Sequence, residues 1–358
     1  MRIGFFSPTI NRIGGGEWVT LNMIYALEAK KHKIVIHSAE KIDPIHIQRF
    51  FGHDLHFHDV NQWPMIFDPY NLESIYPNCL KSFLFSVKCD LLIDTFSNAL
   101  LPWTDAVYFQ GGPKILFLPK GVKGLLFSPY KALLTHTNRH VRPEEKILMT
   151  CSKSSAKMIE EATRLNVKVL YPPVSDFFKY AKNQPKYNVV ATVARISKGK
   201  KLETIPQIAK LVSNEISFVI IGNCKYTNQL NALRYLQESI RKSGVKKKVK
   251  VLLNISREKQ RDILKSSKVY LHPPLFEAFG VSIVEAMSAG CIPIVPDYGG
   301  PREFVPKRYR YTSIEEAASI IDASIANWSP HKALEFVDIA NLFSQARFCD
   351  EFLKLMKL

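Results

Sequence analysis

Short apolar runs alternate with amphipathic stretches along the first half of the chain. The run at 3–6 (IGFF) has the length of a buried strand, and apolar residues of 19–27 recur at the spacing of one helical face. Further strand-length runs follow at 33–37, 89–93 and 146–150. Strands that alternate with helices are typical of a parallel sheet, so the pattern predicts a Rossmann-like α/β domain over 1–178.

The pattern restarts after a polar stretch at 179–186 (KYAKNQPK), which predicts an interdomain linker. Apolar runs of strand length then occur at 188–193, 217–221, 249–253, 269–272 and 292–295. Helix-spaced segments lie between them, so we predict a second doubly wound domain over 187–335 and a C-terminal helix over 336–358 that packs back towards the first domain. Ligands of such folds lie at the carboxyl ends of the strands, here expected in a cleft between the domains.

Charge adds more to this picture than composition does. The 358 residues include 49 Lys+Arg against 32 Asp+Glu, a formal net charge of +17. Such an excess favours anionic partners, namely nucleic acid, acidic lipid or phosphorylated small molecules, without choosing among them. No run of about 18 uncharged apolar residues predicts a membrane span, and the N-terminus lacks a signal-peptide pattern. The six scattered cysteines favour free thiols and a cytoplasmic location.

The segment 276–304 (FEAFGVSIVEAMSAGCIPIVPDYGGPREF) carries the strongest chemical signal. Phe279 and Gly280 form a tight turn before a predicted helix, whose N-terminal N–H groups and positive dipole end suit a diphosphate. Glu277 can accept hydrogen bonds from sugar hydroxyls, and Glu285 can accept them from a ribose diol. Two glutamates at this spacing are, by themselves, more typical of a capping carboxylate and a surface charge.

The whole segment resembles the E-x7-E signature of family-four retaining glycosyltransferases. The matched features are the Glu-x-Phe-Gly turn, the Glu-Ala-Met on the helix, the Gly-x-Pro before a strand and the later Gly-Gly-x-x-Glu. The resemblance implies an α/β GT-B fold, with two Rossmann-like doubly wound domains facing a central cleft. It implies that the N-terminal domain (1–178) binds the acceptor and that the C-terminal domain (187–335) binds the nucleotide sugar. It also implies that Glu277 contacts the donor sugar, that Glu285 contacts the ribose, and that amides of Gly280, Val281 and Ser282 lie near the diphosphate, beside Phe279.

A basic turn follows the first strand of the second half. The resemblance places there an arginine and, five residues on, a lysine, which are Arg195 and Lys200. Two cations at a strand end can neutralise the charge that develops on a departing nucleoside diphosphate. A solvated basic turn is the alternative. Gly222 and Asn223, at the end of the next strand, also resemble the family pattern and are expected to approach the donor.

The first half carries a weaker signal in the glycine turn 14–17 (GGGE). It resembles the corresponding turn of lipid-linked oligosaccharide mannosyltransferases in the same family. Consecutive glycines let the backbone approach a ligand closely, so Gly15 and Gly16 are predicted to bind the donor. The segment 107–113 (VYFQGGP) departs from the family, which places there a histidine that faces the donor sugar. In place of that histidine, either Gln110 or the backbone of Gly111 and Gly112 can supply the hydrogen bond to the donor sugar.

The segment 114–134 (KILFLPKGVKGLLFSPYKALL) mixes large apolar residues with four lysines and no acid. The lysines Lys114, Lys120, Lys123 and Lys131 can meet anionic headgroups while Phe117, Leu125, Leu126 and Phe127 enter the interface. A core helix with basic edges is the alternative. We predict peripheral attachment to an anionic membrane surface, at the inner face of the cell membrane.

The resemblance implies transfer of a hexosyl group from a nucleotide diphosphosugar to an acceptor hydroxyl, with retention of the anomeric configuration. With the charge and the basic-apolar segment, we expect that hydroxyl on a lipid-linked or membrane-associated glycan. The sequence has no Asp-x-Asp motif, and the His and Asp residues of 53–59 are more typical of a solvent-facing strand, so no metal and no cofactor is predicted. A soluble acceptor and a nucleotide-sugar epimerase remain alternatives, as does the choice between uridine and guanosine. A nucleic-acid-binding protein is disfavoured, because no helix-turn-helix, zinc or RNA-binding motif is present.

Overall fold

The computed structural model describes residues 1–12, 14–64, 68, 71–142, 145–181, 184–224, 227–273 and 276–358, with only the backbone of Thr227 and Asn228. The chain divides into two compact units. The first unit comprises Met1–Pro173 with Gln345–Leu358, and the second comprises Val174–Ser344. None of the helices within the described ranges is long and apolar enough to cross a membrane.

The first unit is built on a seven-stranded parallel sheet. Its strands are β1 (Arg2–Phe6), β2 (Lys33–Ser38), β3 (Asp59–Gln62), β4 (Leu91–Asp94), β5 (Ala106–Phe109), β6 (Ile147–Thr150) and β7 (Lys168–Val169). Its helices up to this point are α1 (Gly15–Ala29), α2 (Pro44–Phe51), α3 (Ile75–Ser86), α4 (Gly121–Leu126), α5 (Ser128–His140) and α6 (Lys153–Thr163).

The strand order of the first unit is β3-β2-β1-β4-β5-β6-β7. The chain therefore builds outward from β1 in one direction, then restarts at β4 and builds outward in the other. A crevice forms at such a reversal, because the connections after the two central strands lead to opposite faces of the sheet. The reversal between β1 and β4 is thus where this unit is expected to hold a ligand.

The second unit has a six-stranded parallel sheet of order β10-β9-β8-β11-β12-β13. Its strands are β8 (Tyr187–Val193), β9 (Ser217–Gly222), β10 (Val249–Leu253), β11 (Ser267–Leu271), β12 (Ile292–Pro296) and β13 (Arg310–Tyr311). Its helices are α7 (Ile205–Leu211), α8 (Thr227–Lys242), α9 (Arg257–Ser266), α10 (Val281–Ser288), α11 (Ile314–Ala326) and α12 (Pro330–Asn341). The predicted class, α/β with two Rossmann-like domains, is confirmed.

The first unit ends at Pro173, before the stretch 179–186 that was expected as a linker. Residues 182 and 183 lie outside the described part. Two described residues of the stretch are integral to the second unit. The amide of Tyr180 donates to the carbonyl of Ser288 over 2.8 Å, and Lys186 Nζ donates to the carbonyl of Ala289 over 2.6 Å. The polar composition of 179–186 suggested a linker. It could not reveal these two hydrogen bonds, because their acceptors lie about a hundred positions further along the chain.

The segment 336–358, expected as one helix, is divided between the units. Its first residues, up to Asn341, complete α12 of the second unit. Phe343 follows α12 in the same unit and packs against Phe279 and Phe304, with ring centroids 5.2 and 5.4 Å apart. The last helix, α13 (Gln345–Met356), belongs to the first unit. Its apolar face is buried there, and Arg347 Nη2 donates to the carbonyl of Tyr171 over 2.6 Å.

Candidate functional site

The residues 276–280, directly before α10, begin the candidate site of the second unit. Gly280 precedes the first residue of α10 with φ of 93°, a left-handed conformation that favours glycine. A Cβ atom at Gly280 would lie 2.5 Å from Cδ1 of Ile283, so a larger residue does not fit without a shift. The first N–H groups of a helix lack intrahelical acceptors, so the amides of Val281 and Ser282 are available to an anion.

The carboxylate of Glu277 lies beside this turn and is mostly buried, with 19% of its side chain exposed. Lys200 Nζ donates to Glu277 Oε2 over 2.7 Å, and Nε2 of His272 lies 3.2 Å from the same oxygen. Burial alone would raise the pKa of Glu277, but His272 and Lys200 outweigh it and lower that pKa to about 2. Glu277 is therefore an ionised carboxylate at any physiological pH.

His272 was not predicted as a site residue. It follows β11 directly, its side chain is 2% exposed, and burial lowers its pKa, although Glu277 acts in the opposite sense. A neutral imidazole that faces a carboxylate fits this environment. The hydroxyl of Tyr311 donates to the backbone carbonyl of His272 over 3.1 Å, which ties the strand end to β13. The signal in the sequence was a histidine at the end of a buried strand, five residues before Glu277.

The matched glycine pair 299–300 holds the backbone of the Glu277 turn. The amide of Gly300 donates to the carbonyl of Glu277 over 2.9 Å. Gly299 has φ of 77°, and a Cβ there would lie 2.5 Å from the carbonyl oxygen of Glu277. A Cβ at Gly300 would collide with the carbonyl of Ala278. Both glycines are therefore required by the close approach of two backbone segments.

Glu285 lies on α10 and makes an ion pair that was not predicted. Arg257 Nη2 lies 3.3 Å from Glu285 Oε1, and the two side chains are 15% and 10% exposed. The guanidinium of Arg257 also stacks 5.0 Å above the ring of Phe178. Burial raises the pKa of Glu285, and Arg257 opposes that shift. Glu285 is thus a buried acceptor that is oriented by a cation.

The basic turn after β8 contributes cations at the same sheet edge. Arg195 is exposed, whereas Lys200 is half-buried and reaches Glu277. The amide of Ile196 donates to the carbonyl of Asn223 over 3.3 Å, so this turn lies against the end of β9. A Cβ at Gly222 would lie 2.9 Å from the carbonyl of Ala194, and glycine permits that approach.

Gly15 and Gly16 lie in the first unit, at the start of α1, whereas the other predicted site residues lie in the second. The side chain of Gln110 packs so closely on Gly16 that a Cβ there would overlap it. The side chain of Gln110 also donates from Nε2 to the carbonyl of Thr95. The backbone N–H of Gln110 donates to Asn98 Oδ1 over 2.7 Å. Gln110, at the position where the family has histidine, is therefore fixed at the ends of β4 and β5.

The predicted residues of the second unit meet at one edge of its sheet. They lie at or beyond the ends of β8, β9 and β11, and the strand order of the unit reverses between β8 and β11. An ionised carboxylate, two cations and a helix N-terminus at such a reversal are the features of a site for a phosphorylated, hydroxyl-rich ligand. The fold and this sheet edge fit the class that the sequence predicts, a glycosyltransferase with the GT-B fold.

Residues 175–327 match the family described as Glycosyl transferases group 1. The second unit is therefore a group 1 glycosyltransferase domain, and the predicted family resemblance is confirmed.

Curated relatives agree with this family. The GDP-Man:Man(3)GlcNAc(2)-PP-Dol alpha-1,2-mannosyltransferase of Candida albicans is 29% identical over 148 residues, 37% of this chain and 24% of that protein. The Phosphatidylinositol N-acetylglucosaminyltransferase gpi3 subunit of Schizosaccharomyces pombe is 29% identical over 121 residues, 33% of this chain and 25% of that protein. The matched region thus spans about a quarter of the length of these two relatives.

Solved structures share the fold over the whole chain. Anabaena Alr3699/HepE, in complex with UDP and glucose, has a TM-score of 0.74 at 16% identity and covers 100% of this chain and 99% of its own. WaaG, a glycosyltransferase involved in lipopolysaccharide biosynthesis, has a TM-score of 0.72 at 13% identity and covers 98% of this chain and 99% of its own. At these identities the likeness establishes the GT-B fold.

Proposed function

We propose that the protein transfers a hexosyl group from a nucleoside diphosphosugar to an acceptor hydroxyl, with retention of the anomeric configuration. The observation that carries this proposal is the ionised Glu277, held by Lys200 beside the N-terminus of α10 in a group 1 glycosyltransferase domain. The carboxylate suits the hydroxyls of a sugar, and the helix amides suit its diphosphate.

The chemistry follows from these positions. The acceptor oxygen attacks the anomeric carbon on the face from which the diphosphate departs, and the bond between that carbon and the phosphate oxygen breaks. The acceptor proton passes to a phosphate oxygen, so no protein base is required. Arg195, Lys200 and the helix amides stabilise the negative charge that develops on the leaving group. Glu285, oriented by Arg257, accepts hydrogen bonds from the ribose diol.

The acceptor in this proposal is a lipid-linked glycan. Two observations support it: the Candida albicans relative is named for a dolichol-linked substrate, and the Schizosaccharomyces pombe relative for a phosphatidylinositol substrate. The test is transfer of labelled sugar from GDP-mannose, UDP-glucose and UDP-N-acetylglucosamine to lipid-linked and soluble glycans, with the product anomer assigned by NMR. Transfer to a soluble glycan alone would replace the lipid-linked acceptor, an inverted product would refute retention, and no transfer from any donor would refute the function.

We expect the transfer to continue at its full rate in excess chelator. The cations Arg195 and Lys200 and the amides at the start of α10 supply the positive charge that a divalent ion brings to other transferases. The assay compares initial rates with and without EDTA, and with manganese or magnesium added back. A rate that vanishes in EDTA and returns with either ion would contradict transfer without metal.

A membrane surface in the first unit also belongs to this proposal. Helix α4 has no buried residue, and the described segment around it exposes Leu116, Phe117, Val122, Leu125 and Leu126 by 50 to 89%. A stripe on α3 and on the residue after it continues this surface. Its residues are 41 to 78% exposed: Tyr76, Leu80, Phe83, Leu84 and Val87. The two parts join where the hydroxyl of Tyr76 donates to the carbonyl of Leu126 over 2.6 Å. We call these residues the apolar patch.

The lysines around the apolar patch complete the membrane surface, with one change from the sequence prediction. Lys120, Lys123 and Lys131 are exposed, whereas Lys114 is half-buried on the wall of a cavity and is therefore left out of the membrane surface. Phe127 is half-buried and stacks on Tyr76 with ring centroids 6.0 Å apart. A large apolar surface rimmed by lysines fits the interface of an anionic bilayer.

Neutralising these three lysines is expected to weaken binding to acidic vesicles about a hundredfold at low salt, since each lysine near the surface contributes about 1 kcal/mol. Sedimentation with phosphatidylserine vesicles compares the parent with the Lys120→Gln, Lys123→Gln, Lys131→Gln variant. The matched control carries Lys246→Gln, Lys247→Gln and Lys259→Gln, which remove the same charge from exposed positions of the second unit. Equal losses in both variants would reduce the effect to net charge and remove the patch from the proposal.

A further inference from the structure

His272 is a buried histidine beside the carboxylate of the candidate donor site. It directly follows β11, its side chain is 2% exposed, and its Nε2 lies 3.2 Å from Glu277 Oε2. The proposed transfer needs no protein base, so His272 has no proton to move in it. A buried polar side chain in contact with the group that meets the substrate calls for another explanation.

The end of β11 holds His272 in one place. Its backbone N–H donates to the carbonyl of Ile294 on β12 over 2.9 Å, and its carbonyl accepts from the hydroxyl of Tyr311 on β13 over 3.1 Å. The imidazole lies at 22° to the ring of Tyr270, with centroids 6.5 Å apart. Two neighbouring strands therefore fix the backbone of His272, so its ring can orient a neighbouring side chain.

The carboxylate of Glu277 decides which nitrogen of His272 carries the proton. Burial lowers the pKa of His272 more than Glu277 raises it, so the imidazole is neutral at neutral pH and has one N–H group. An ionised carboxylate can only accept hydrogen bonds, which favours the proton on Nε2. Neither ring nitrogen makes an aligned hydrogen bond with a described residue, although Nε2 faces Oε2. Such bonds at active sites often align only when the substrate is bound.

The two oxygens of Glu277 have different surroundings. Lys200 Nζ donates to Oε2 over 2.7 Å, and this is the oxygen that His272 Nε2 faces. Oε1 accepts no hydrogen bond from any residue that the structure describes. One oxygen is thus held by the protein, and the other is left to accept from sugar hydroxyls.

Lys200 is needed by two anions in the proposed transfer. Besides Glu277, it stabilises the leaving diphosphate, which carries more negative charge than a single carboxylate. The stem of a lysine is flexible, so Nζ can turn from Glu277 to the diphosphate. Glu277 then requires another donor at Oε2, because a buried ionised carboxylate without a partner is costly. His272 is the other described group within reach of that oxygen.

We propose that His272 is the positioning residue of the donor-sugar site. It holds Oε2 of Glu277 through Nε2–H once Lys200 turns to the diphosphate, and it thereby directs Oε1 at the sugar hydroxyls. The inference rests on the proposed function, because it requires that Glu277 meets the donor sugar. It also gives His272 a part in specificity, since a fixed carboxylate favours a hydroxyl at one position of the sugar ring.

Binding of the donor with and without its sugar isolates this role. Calorimetry on the full-length protein compares the preferred nucleoside diphosphosugar with the bare nucleoside diphosphate. His272→Leu should weaken the diphosphosugar about tenfold to a hundredfold, the usual cost of losing a hydrogen bond to a charged group, and leave the nucleoside diphosphate within about twofold. His272→Gln should regain most of the affinity, because its amide N–H can reach Glu277 Oε2.

Donors that lack one sugar hydroxyl test orientation rather than stability. The parent should bind one of these deoxy donors much more weakly than the complete donor, namely the one that has lost the hydroxyl at Oε1. His272→Leu should bind the same deoxy donor almost as well as the complete donor, since the hydroxyl has no oriented acceptor in that variant. A variant whose fold is merely loosened would weaken all donors alike.

His331→Gln is the matched control. His331 lies on α12, is 87% exposed, and its Nδ1 lies 3.5 Å from Glu335 Oε1, so the change alters a histidine–glutamate pair outside the site. It should change none of these affinities. If His272→Leu fails to fold, His272→Asn replaces it, because the shorter amide does not reach Glu277.

Nitrogen NMR of the histidine-labelled parent gives a reading that needs no donor. The signal of His272, identified by its loss in His272→Gln, should show a proton on Nε2 and none on Nδ1. Three results would overturn the proposal: a proton on Nδ1, equal losses for the diphosphosugar and the nucleoside diphosphate in His272→Leu, or unchanged binding in every His272 variant. Each leaves the proposed transfer standing when the parent transfers sugar. A parent that binds no diphosphosugar would refute the proposed function, and the role of His272 with it.

Discussion

Changing Arg195 to Ala is expected to lower kcat/KM by about a hundredfold to a thousandfold, or roughly 2–4 kcal/mol of transition-state stabilisation, the usual cost of losing one donor that stabilises developing negative charge. Arg195 lies on the exposed side of the turn after β8, so its removal leaves the buried part of that turn intact. Steady-state kinetics with the best donor gives the effect, and thermal unfolding shows that the variant is folded.

Lys198 provides the matched control for this result. It lies in the same turn, is exposed and carries the same charge, but nothing places it at the diphosphate. Lys198→Ala should therefore retain kcat/KM within about twofold, the range expected when a rim charge changes only the long-range attraction of an anionic donor. If Arg195→Ala keeps full turnover, or if both variants lose activity equally, the assignment of Arg195 to the leaving group is wrong.

Local patterns predicted the strands and helices near the site well, because each of these elements is specified by its own residues. The alternation of apolar runs gave every strand of the second unit except β13, which has two residues. The glycines Gly280 and Gly299 were recognisable for a similar reason: each has positive φ, which favours glycine, and a Cβ at either position would lie 2.5 Å from a neighbouring atom. The order of these features along the chain also identified the family.

The ion pairs of the site were not predictable in the same way. Lys200 and Glu277 are 77 residues apart, and Arg257 and Glu285 are 28 apart, so each pair forms only when parallel strands bring distant loops to one sheet edge. The sequence showed which residues carry charge but not which charges meet. His272 had a local signal, as a polar residue directly after a buried strand, yet its contact with Glu277 could not be read from that signal.

The apolar patch was only partly recognised from the sequence. Residues 76, 80, 83, 84 and 87 recur at helical spacing, which predicts one apolar face of a helix, but that pattern is the same for a face that packs in a core. Exposure distinguishes the two cases, and the structure leaves this face of α3 exposed. Lys114 shows the opposite case, in which a charged residue is less exposed than its sequence context suggested. It was expected at the surface, but the fold places it on the wall of a cavity.

Glu285→Ala is expected to lower the free energy of unfolding by about 3–5 kcal/mol, because it leaves the buried guanidinium of Arg257 without its carboxylate. Glu285→Gln keeps a hydrogen-bonding oxygen and should cost less. Urea unfolding followed by circular dichroism measures both changes. The stability effect follows from the buried ion pair and does not depend on any ligand, so it tests the geometry of the second unit directly.

The role of Glu285 in donor binding requires a variant in which the pair is removed without leaving a buried charge. Replacing both residues, by Glu285→Leu with Arg257→Leu, should restore most of the stability, since apolar side chains of similar volume can replace a buried ion pair at little cost. Nucleoside diphosphate affinity, measured by calorimetry, should nevertheless stay about tenfold or more below that of the parent, because the ribose diol has lost its acceptor. A stable double variant that binds the nucleotide as tightly as the parent would show that Glu285 serves only the fold. In that case the ribose contact must be assigned to another residue at the same sheet edge.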